Sequence, residues 1–382
     1  MLRVSVIGDF GSLRALKRDW IDLLARSRGA SFALEPEWLL PWWSVFGETG
    51  RRDLRVGLCY DGERLLGLAP FLAREHRYHL ALPFRRLELL GSGEDERDEI
   101  CSDYLGVIAA TGSEEAVASA FVRALADGQF GSWDELLMPA LDGFDPVPRL
   151  LSEGMRLSGF HVQAQRVTSC PFIPLPRSWD DYLAALTPNA RYLVRRSLRD
   201  FEKWAAGAGR VERAASREEV EQGAAILRTL HAERWSATGA GGCFASPRFA
   251  DFHARAMPQL WQKNELELLW LTVSGEPIAA LYNVVRNGVV YFYQSGRRLD
   301  LPKSIRPGIV LHAHAIRAAI ERGCREYDFL AGTSRYKLDL ALASRPLVTL
   351  RATRTSVVEA LRSVTQAGLD AARSLRSRLA HV

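Results

Sequence analysis

Several side chains in the second half of this 382-residue chain could exchange protons with a substrate. Asp328 ends the strand-like sequence REYDFL, and Tyr336 and Lys337 follow the turn GTS a few residues later. His231 lies earlier, near the end of the helix-like sequence REEVEQGAAILRTLHAERW. A carboxylate or an imidazole can accept a proton, and a phenol or an ammonium group can donate one. The two proton acceptors also have ordinary structural roles open to them, Asp328 as a capping or salt-bridging carboxylate and His231 as a surface histidine.

The start of the predicted helix 308–322 could bind an anion. The first N–H groups of a helix lack partners within it and carry the positive end of its dipole. Pro307 has no N–H, Gly308 lets the backbone approach a ligand closely, and Ser304 and Arg306 add polar donors. Taken alone, however, this sequence is better explained as an ordinary helix start with a solvated arginine.

The strand-like run from residue 291 to residue 295 precedes this helix. Alternation places Tyr291, Tyr293 and Ser295 on one face, and Phe292 and Gln294 on the other. Tyrosines that pack a half-buried sheet are common, so the pattern has a structural explanation as well as a functional one.

The predicted helix that carries His231 has further polar groups at its end. His231 and Arg234 are three residues apart and therefore share a face, and Trp235 follows them. The glycine-rich sequence TGAGGCF comes directly afterwards and predicts a flexible loop.

The sequence NARYLVRRSLRDFEKW predicts a basic helix. Arg191, Arg195 and Arg199 recur every four residues and form one stripe, with Arg196 and Lys203 beside it. A solvated face with intrahelical ion pairs is the default interpretation. The alternative is a surface for an anionic partner such as a ribose phosphate, a lipid headgroup, a sugar nucleotide or tRNA.

The elements that would position these residues follow a repeated order. In the second half two helices precede a three-stranded meander, which is followed by the helix 308–322 and the strand REYDFLAG. Each half has a short helix and a strand before a Gly-Glu turn, at residues 62–63 and 275–276, and an apolar strand after it. A duplicated α/β unit explains this order. We predict three segments: an N-terminal unit (1–165), a C-terminal unit (166–345) and an amphipathic tail (346–382).

The second half resembles a known family. The sequences YFYQSG, RPGIVLHAHAIRAAIERG and YDFLAGTSRYK occur in this order. Together they are similar to the acetyltransferase domain of bacterial cellulose-biosynthesis-type proteins. Those proteins belong to the FemAB-like group of the GCN5-related N-acetyltransferase (GNAT) superfamily, which carries two such folds in tandem. The resemblance covers about residues 180–340, and the first half matches in layout only. SIRPGIVL has one glycine where the superfamily usually has a glycine-rich Q/R-x-x-G-x-G/A loop.

The resemblance implies a fold of two tandem GNAT-like mixed-sheet units and an N-acyltransferase activity. The acyl group would pass from acyl-coenzyme A or acetyl-coenzyme A to an amine by direct attack, without a metal. The predicted coenzyme-binding residues are Ser304, Arg306, Gly308, Ile309 and Val310 for the pyrophosphate, and Tyr293, Gln294 and Ser295 for the pantetheine arm.

The resemblance also suggests roles for the proton-exchanging side chains. Asp328 or His231 would assist deprotonation of the amine, and Tyr336 could protonate the leaving thiolate. Lys337 could pair with Asp328 or hold a phosphate or an acceptor carboxylate. Residues expected on the acceptor side are Arg234, Trp235 and Tyr291.

Composition limits the class of protein. Apolar residues make up 47% of the chain and charged residues 25%, as in an ordinary globular protein. No apolar run reaches the roughly 18 residues of a membrane span, and the N-terminus meets charge too early for a signal peptide. His312 and His314 are two apart and point to different faces of a helix, and no CxxC pair exists, so no metal site is predicted. We expect a cytoplasmic protein.

The excess positive charge lies in the tail. Residues 351–382 contain six arginines and two acidic residues, a net charge of +4 out of +5 for the whole chain. The body is therefore nearly neutral, which argues against general nucleic-acid binding. The amphipathic tail predicts packing on the body or on a second subunit, with peripheral contact to the inner face of a membrane as the alternative. The oligomeric state is left open.

Acceptors that fit the resemblance are an amino sugar of a polysaccharide and an amino-lipid such as a sphingoid base. Two other functions remain open. One is an aminoacyl-tRNA-dependent transferase of the FemAB type. The other is a non-catalytic scaffold of a polysaccharide or lipid synthesis complex.

Overall fold

The computed structural model describes residues 2–47, 51–78, 82–236, 242–356 and 358–365. They divide into two compact units. The first unit comprises the described residues of Met1–Gly93, Tyr104–Arg166 and Val348–Val382, and the second comprises those of Glu94–Asp103 and Val167–Leu347. The segment 94–103, which the sequence analysis assigned to the N-terminal unit, therefore belongs to the second unit.

The first unit is a mixed sheet with helices. Its elements, in chain order, are β1 (Arg3–Ile7), α1 (Phe10–Ala15), α2 (Lys17–Ala25), α3 (Pro36–Phe46), β2 (Asp53–Asp61), β3 (Arg64–Arg77), β4 (Pro83–Leu89), β5 (Ile108–Ala109), α4 (Glu114–Ala126), β6 (Glu135–Asp142) and α5 (Pro146–Leu157). Strands β1 to β4 pair antiparallel in sequence order, and β6, which follows α4, pairs parallel with β4. The β2–β3 hairpin turns at Gly62 and Glu63, as the Asp-Gly sequence predicts.

The second unit repeats this topology. The remaining elements, in chain order, are β7 (His161–Pro174), α6 (Trp179–Ala185), α7 (Pro188–Ala205), β8 (Gly209–Arg213), α8 (Arg217–Ser236), α9 (Pro247–Gln262), β9 (Leu266–Val273), β10 (Glu276–Arg286), β11 (Val289–Arg297), α10 (Pro307–Glu321), β12 (Glu326–Asp328), α11 (Arg335–Leu340) and β13 (Ala343–Thr353). Strands β8 to β11 are antiparallel, and β12, which follows α10, is parallel to β11. The predicted mixed α/β fold of two similar units is confirmed.

Helices α6 and α7 are separate, although residues 179–205 contain helix-forming sequence on both sides of the junction. The helix is broken at Leu186 and Thr187. Pro188 lacks the N–H that a continuous helix needs, and a residue before proline avoids the helical region. Thr187 instead caps α7, because its Oγ1 accepts a hydrogen bond from the Ala190 N–H at 3.3 Å.

Helix α10 packs one face into the core of the second unit. Val310 and Ile316 are fully buried there beside Val290 and Phe292 of β11. Burying each such side chain contributes about 1.5–3 kcal/mol. The helix ends where Gly323 adopts a φ of 73°, close to the predicted stop.

Strands β11 and β12 separate after a short contact. They pair only where residues 289–291 face residues 326–328. Beyond Asp328 the chain stays with β7, because the Phe329 N–H donates to the Pro171 carbonyl at 3.0 Å, whereas β11 continues beside β10. We call the gap between residues 292–297 and residues 329–331 the wedge.

A β-bulge lies at the start of the wedge. Phe292 pairs with Asn283 and Gln294 pairs with Tyr282, so Tyr293 is an extra residue on β11. A bulge of this kind bends the strand and redirects the side chains that follow it.

The predicted tail begins later than residue 346, because residues 343–353 form β13. Arg351 in this strand forms ion pairs with Glu135 and Glu359, and Arg354 lies over the Trp133 ring at 5.0 Å. Residues 358–365 are helical, and Arg362 pairs with Glu359. Three of the six tail arginines therefore make contacts within the first unit. The rest of the predicted amphipathic stripe lies outside the described residues.

Within the described part of the chain, no helix is long and apolar enough to cross a bilayer.

Candidate active site

A pocket of about 550 Å³ lies in the second unit, at the N-terminus of α10. Its wall includes Ser295, Gly296 and Arg297 at the end of β11, the loop that follows this strand, and Tyr336 of α11. Apolar side chains form part of the lining: Leu281, Leu299, Leu301, Ile305 and Ile309. The pocket can therefore enclose a ligand that has both apolar and polar parts.

The charged lining of this pocket is cationic. Five basic side chains contribute to it: Arg234, Arg297, Arg298, Lys303 and Arg306. None of the described residues that line the pocket carries a carboxylate. Burial lowers the pKa of Arg297, and the charge of Arg234 lowers it further. This concentration of like charge favours an anionic ligand.

The first turn of α10 opens on the same pocket. Arg306 is the N-cap without a side-chain cap, and Pro307 is the first helical residue. The first intrahelical bond runs from the Val310 N–H to the Arg306 carbonyl at 3.1 Å, so the Gly308 and Ile309 N–H groups precede it. A Cβ atom on Gly308 would meet nothing within 4 Å, and the approach to these amides is therefore open. This is the geometry of an anion site at a helix N-terminus.

Two of the residues predicted to bind the pyrophosphate lie outside the pocket. Val310 is fully buried in the core, and its N–H is used within the helix. Ser304 instead lines a neighbouring cavity of about 280 Å³, together with Lys303, Arg306 and Arg196 of α7. Helical rotation turns Val310 away from the pocket, whereas Ser304 belongs to the turn that precedes the helix.

The basic face of α7 is mostly solvated. Arg195, Arg196 and Arg199 are exposed, and Arg196 pairs with Asp200 at 3.1 Å. Arg191 donates to the Leu186 carbonyl at 3.2 Å. These contacts fit the default interpretation of the stripe, and only Arg196 joins the cavity beside the pocket.

Tyr336 and His312 lie together in the pocket wall. Their ring centroids are 5.6 Å apart. Burial raises the pKa of Tyr336, and the nearby charge of Arg234 opposes that rise, so the phenol is protonated at neutral pH. His312 Nδ1 lies 3.0 Å from the Tyr327 hydroxyl, and burial lowers the pKa of His312 to about 3. Tyr336 can therefore donate a proton to a bound group, and His312 is a neutral ring beside it.

The structure argues against Asp328 as a proton acceptor. Its side chain is fully buried, Arg345 Nη1 donates to Oδ2 at 2.7 Å, and the Leu330 N–H donates to Oδ1 at 2.7 Å. Arg345 also binds Glu326. Asp328 does not line the pocket, and these contacts correspond to the salt-bridging and capping role.

His231 is buried rather than on the surface, and it also lies outside the pocket. Its Nε2 lies 3.4 Å from the Cys243 sulfur. Burial, followed by the charge of Arg234, lowers the pKa of His231 to about 4. His231 and Arg234, which the sequence places on one helix face, therefore differ in position. Arg234 reaches the pocket, where its Nη1 donates to Ser295 Oγ at 3.4 Å, and His231 does not. Trp235 is partly exposed and lies beside Arg234, outside the pocket.

The predicted alternation of side chains along β11 fails at the bulge. The Tyr293 hydroxyl donates to the Ile100 carbonyl at 2.5 Å and lies 3.1 Å from His253 Nε2. Gln294 Nε2 donates to the Cys243 sulfur at 3.3 Å, in the turn between α8 and α9. Both side chains therefore face these helices, because the extra residue shifts the alternation by one position. The two side chains do not line the pocket.

Tyr291 and Lys337 are also held within the fold. Tyr291 is buried, and this burial raises its pKa. Lys337 Nζ donates to the Phe329 and Ala331 carbonyls, each at 2.7 Å. Burial lowers the pKa of Lys337, and Asp103 is the first of the neighbours that oppose this shift. Lys337 thus holds the chain that leaves β12, and it does not line the pocket.

The pocket brings together six of the predicted residues: Arg234, Ser295, Arg306, Gly308, Ile309 and Tyr336. Sequence analysis missed Arg297, Lys303 and His312 as lining residues. The sequence SGRRLD, with two arginines at the end of the strand, is a signal for Arg297. Nothing in the sequence distinguished His312 from a core histidine.

Among the described residues, no group of three His, Cys, Asp or Glu side chains could hold a metal ion.

Comparison with known proteins identifies the fold of the chain and the class of one domain. Residues 188–338 match a family model described as an acetyltransferase (GNAT) domain. No curated protein matches the chain. The structure of FemX is similar with a TM-score of 0.61 and 10% identity, over 91% of this chain and 98% of that one.

Two further solved structures are similar along most of the chain. A C-terminal domain (DUF2156) from Agrobacterium fabrum, assigned to a lysylphosphatidylglycerol synthetase, has a TM-score of 0.52 and 10% identity, over 92% of this chain and 95% of that one. A protein of unknown function from Bacteroides thetaiotaomicron has a TM-score of 0.50 and 12% identity, over 88% and 97%. These identities establish a shared fold. The predicted acetyltransferase (GNAT) domain of the second half is confirmed over residues 188–338.

Proposed function

We propose that this protein, whose residues 188–338 contain an acetyltransferase (GNAT) domain, transfers an acyl group from an acyl-coenzyme A thioester to an amine. One observation carries the proposal. The open N-terminus of α10, five basic side chains and an apolar wall meet in a single pocket of about 550 Å³. Coenzyme A combines a pyrophosphate with a long, partly apolar arm, and both parts find a matching surface there.

The donor would bind through groups that the pocket presents. The Gly308 and Ile309 N–H groups and the Arg306 guanidinium suit the pyrophosphate. The pantetheine arm would follow the wedge, where β11 pairs with β10 alone. Leu281 and Ile305 belong to the apolar lining and could contact the arm or an acyl chain.

The chemistry would be direct attack of the amine on the thioester carbon. Backbone N–H groups of β11 in the wedge are suited to stabilising the oxyanion that forms. Tyr336, protonated and in the pocket wall, would give its proton to the leaving thiolate. Asp328 is neutralised by Arg345, and His231 faces the Cys243 sulfur with a pKa lowered by burial, so we expect the proton of the amine to pass to another group or to water.

The acceptor is proposed from the resemblance alone. An amino sugar of a polysaccharide and an amino-lipid such as a sphingoid base both supply the required primary amine. Peripheral contact with an anionic membrane is likewise a proposal, and it rests on the basic composition of residues 351–382.

A second candidate is an aminoacyl-tRNA-dependent transfer of the FemAB type. The similarity to FemX over 91% of this chain favours it. Exposed Arg195 and Arg199 on α7 offer cations for a phosphate backbone. Coenzyme A carries a pyrophosphate that matches the cationic pocket at the N-terminus of α10. We therefore prefer an acyl-coenzyme A donor to aminoacyl-tRNA.

A transfer assay separates these candidates. Purified protein is incubated with acetyl-coenzyme A or palmitoyl-coenzyme A and with glucosamine or sphinganine, and thiol release and amide product are measured. A parallel reaction supplies aminoacyl-tRNA as the donor. Amide formation from a coenzyme A thioester supports the proposal. Transfer from aminoacyl-tRNA alone would replace it with the second candidate, and no transfer from either donor would favour a non-catalytic scaffold.

A further inference from the structure

The segment 94–103 spans the open side of the wedge. At one point the Ile100 carbonyl accepts the hydrogen bond from the Tyr293 hydroxyl of β11. At its end Asp103 Oδ2 accepts a hydrogen bond of 2.6 Å from the Ala331 N–H, three residues beyond the end of β12. One short stretch of chain thus contacts both strands where they separate, and it brings a carboxylate to that place.

The backbone is strained on both sides of this contact. Cys101 has a φ of 52° and Leu330 has a φ of 56°, the left-handed region that side chains with a Cβ rarely adopt. Each such residue costs about 1–3 kcal/mol and persists only where the surroundings impose it. Cys101 is two residues before Asp103, and Leu330 directly precedes Ala331. Strain of this kind concentrates at functional sites.

The surroundings of Asp103 suit a proton acceptor. The side chain is 6% exposed, and the only hydrogen bond it accepts from the described residues is the one from Ala331 to Oδ2. The charged and titratable groups that face it are Lys337 of α11 and, within its own segment, Glu99 and Cys101. Burial raises the pKa of Asp103 to about 6, while the Ala331 N–H and Lys337 oppose that rise. The carboxylate is therefore ionised at neutral pH and more basic than an exposed aspartate.

Asp103 is linked to the helix that carries the proposed acid. It is coupled electrostatically to Lys337, which adjoins Tyr336 in α11 and lies 5.7 Å from the Phe292 ring of β11. Asp328, by contrast, is neutralised by Arg345, and His231 faces Cys243. Among the carboxylates considered, Asp103 is the one that the fold places at the mouth of the wedge with an oxygen uncommitted to an ion pair.

We propose that Asp103 is the group that takes the proton from the acceptor amine during acyl transfer. This inference rests on the proposed function. The ammonium form of the acceptor gives one proton to Asp103, and its nitrogen, now neutral, forms a bond to the thioester carbon while the carbon–sulfur bond breaks. The nitrogen then loses a second proton to solvent, the thiolate of coenzyme A takes a proton from Tyr336, and solvent restores both Asp103 and Tyr336. The products are the amide and the free thiol of coenzyme A.

The test compares Asp103→Asn with wild type in the full-length protein. The asparagine keeps an oxygen for the Ala331 N–H but cannot take up a proton. Glu96→Gln is the matched control, because it removes one negative charge from an exposed position of the same segment. Calorimetric titration with coenzyme A checks that each variant is folded and keeps its donor site.

The rate is measured as thiol release from acetyl-coenzyme A and from palmitoyl-coenzyme A, with glucosamine, sphinganine or hydroxylamine as the amine. We expect Asp103→Asn to bind coenzyme A as wild type does and to lose about a hundredfold or more of kcat with an alkyl amine. The loss should be smaller with hydroxylamine, which is largely unprotonated at neutral pH. The wild-type rate should rise with pH through about 6, as Asp103 ionises, and the variant should lack this rise.

Each other outcome overturns a defined part of the account. If wild type transfers the acyl group and Asp103→Asn does so with the same rate and the same pH profile, this inference is overturned and the proposed function is not. An equal loss in Glu96→Gln would show that the segment acts through its charge, and would overturn it too. Coenzyme A binding without transfer to any of the three amines would overturn both this inference and the amine-transfer part of the proposed function. Failure of wild type to bind coenzyme A would overturn the proposed function itself.

Discussion

Arg345 Nη1 donates to Asp328 Oδ2 across 2.7 Å, and the same guanidinium binds Glu326 through Nη2 at 3.0 Å. One buried cation thus balances two buried carboxylates at β12, the strand that diverges from β11 to form the wedge. The ion pair makes Asp328 a structural residue, and it fixes the direction in which β12 ends.

We predict that Arg345→Met destabilises the second unit by about 3–5 kcal/mol, because it removes the cation that balances the charges of two buried carboxylates. The midpoint of urea denaturation measures this loss. Asp328→Asn should be milder, and it should leave coenzyme A affinity and the acidic side of the pH profile unchanged. If the rate of Asp328→Asn no longer rose with pH through about 6, Asp328 rather than Asp103 would be the proton acceptor.

Gly308→Ala should weaken coenzyme A binding without lowering the stability of the protein. A Cβ at this position meets no atom within 4 Å, and alanine is the better helix former, so the melting temperature should be unchanged or slightly higher. The added methyl would stand where a phosphate must approach the helix amides. We expect coenzyme A affinity to fall about tenfold, or about 1.4 kcal/mol, by calorimetry. Unchanged affinity would show that the pyrophosphate does not bind at this turn.

Tyr336→Phe tests the proton donor. Removal of the hydroxyl should lower kcat by about a hundredfold and leave coenzyme A affinity intact. The pKa of Tyr336 lies above its ordinary value, so the wild-type enzyme should keep its activity at alkaline pH up to about 10. A decline in wild-type activity near pH 8 that Tyr336→Phe leaves unchanged would assign the acid to another group.

The first unit contains an ion network with its own pH dependence. Arg351 binds both Glu135 and Glu359. Arg362 and Arg351 lower the pKa of Glu359 to about 2, and Arg86, followed by Tyr78 and Arg351, lowers that of Glu135. Both carboxylates have a folded-state pKa below the unfolded value of about 4.3. Their contribution is therefore complete above about pH 5 and is lost as the pH falls toward 2.

Urea denaturation at several pH values measures this dependence. In Glu359→Gln the free energy of unfolding should depend less steeply on pH between about 5 and about 2. Coenzyme A affinity should not change. Arg149→Ala, an exposed residue with an i,i+4 partner, is the control and should leave the curve as it is. An unaltered slope in Glu359→Gln would contradict the assignment of this network.

Local sequence signals predicted the scaffold well. The hairpin at Gly62 and the end of α10 at Gly323 each depend on a few neighbouring residues, and both occur as expected. The six predicted pocket residues also come from continuous motifs. Their role in binding a ligand could be predicted because the start of a helix lies close to the end of the strand that precedes it in a fold of this kind.

The proton acceptor could not be predicted in the same way. Asp103 and Ala331 are 228 positions apart, and Asp328 meets its neutralising partner only because Arg345 folds back onto β12. The bulge at Tyr293 likewise depends on pairing with β10 and has no marker in the sequence. Burial then decides which carboxylate is basic, and burial is a property of the packed unit.

Calorimetric titration of the purified protein with coenzyme A tests the central claim most directly, with Arg306→Ala and Arg317→Ala as a matched pair. Both arginines are exposed and belong to α10 or its cap, but only Arg306 lines the pocket. We predict saturable binding of one coenzyme A per chain, weakened at least tenfold in Arg306→Ala (about 1.4 kcal/mol) and unchanged in Arg317→Ala. Absence of binding, or an equal loss in both variants, would contradict it.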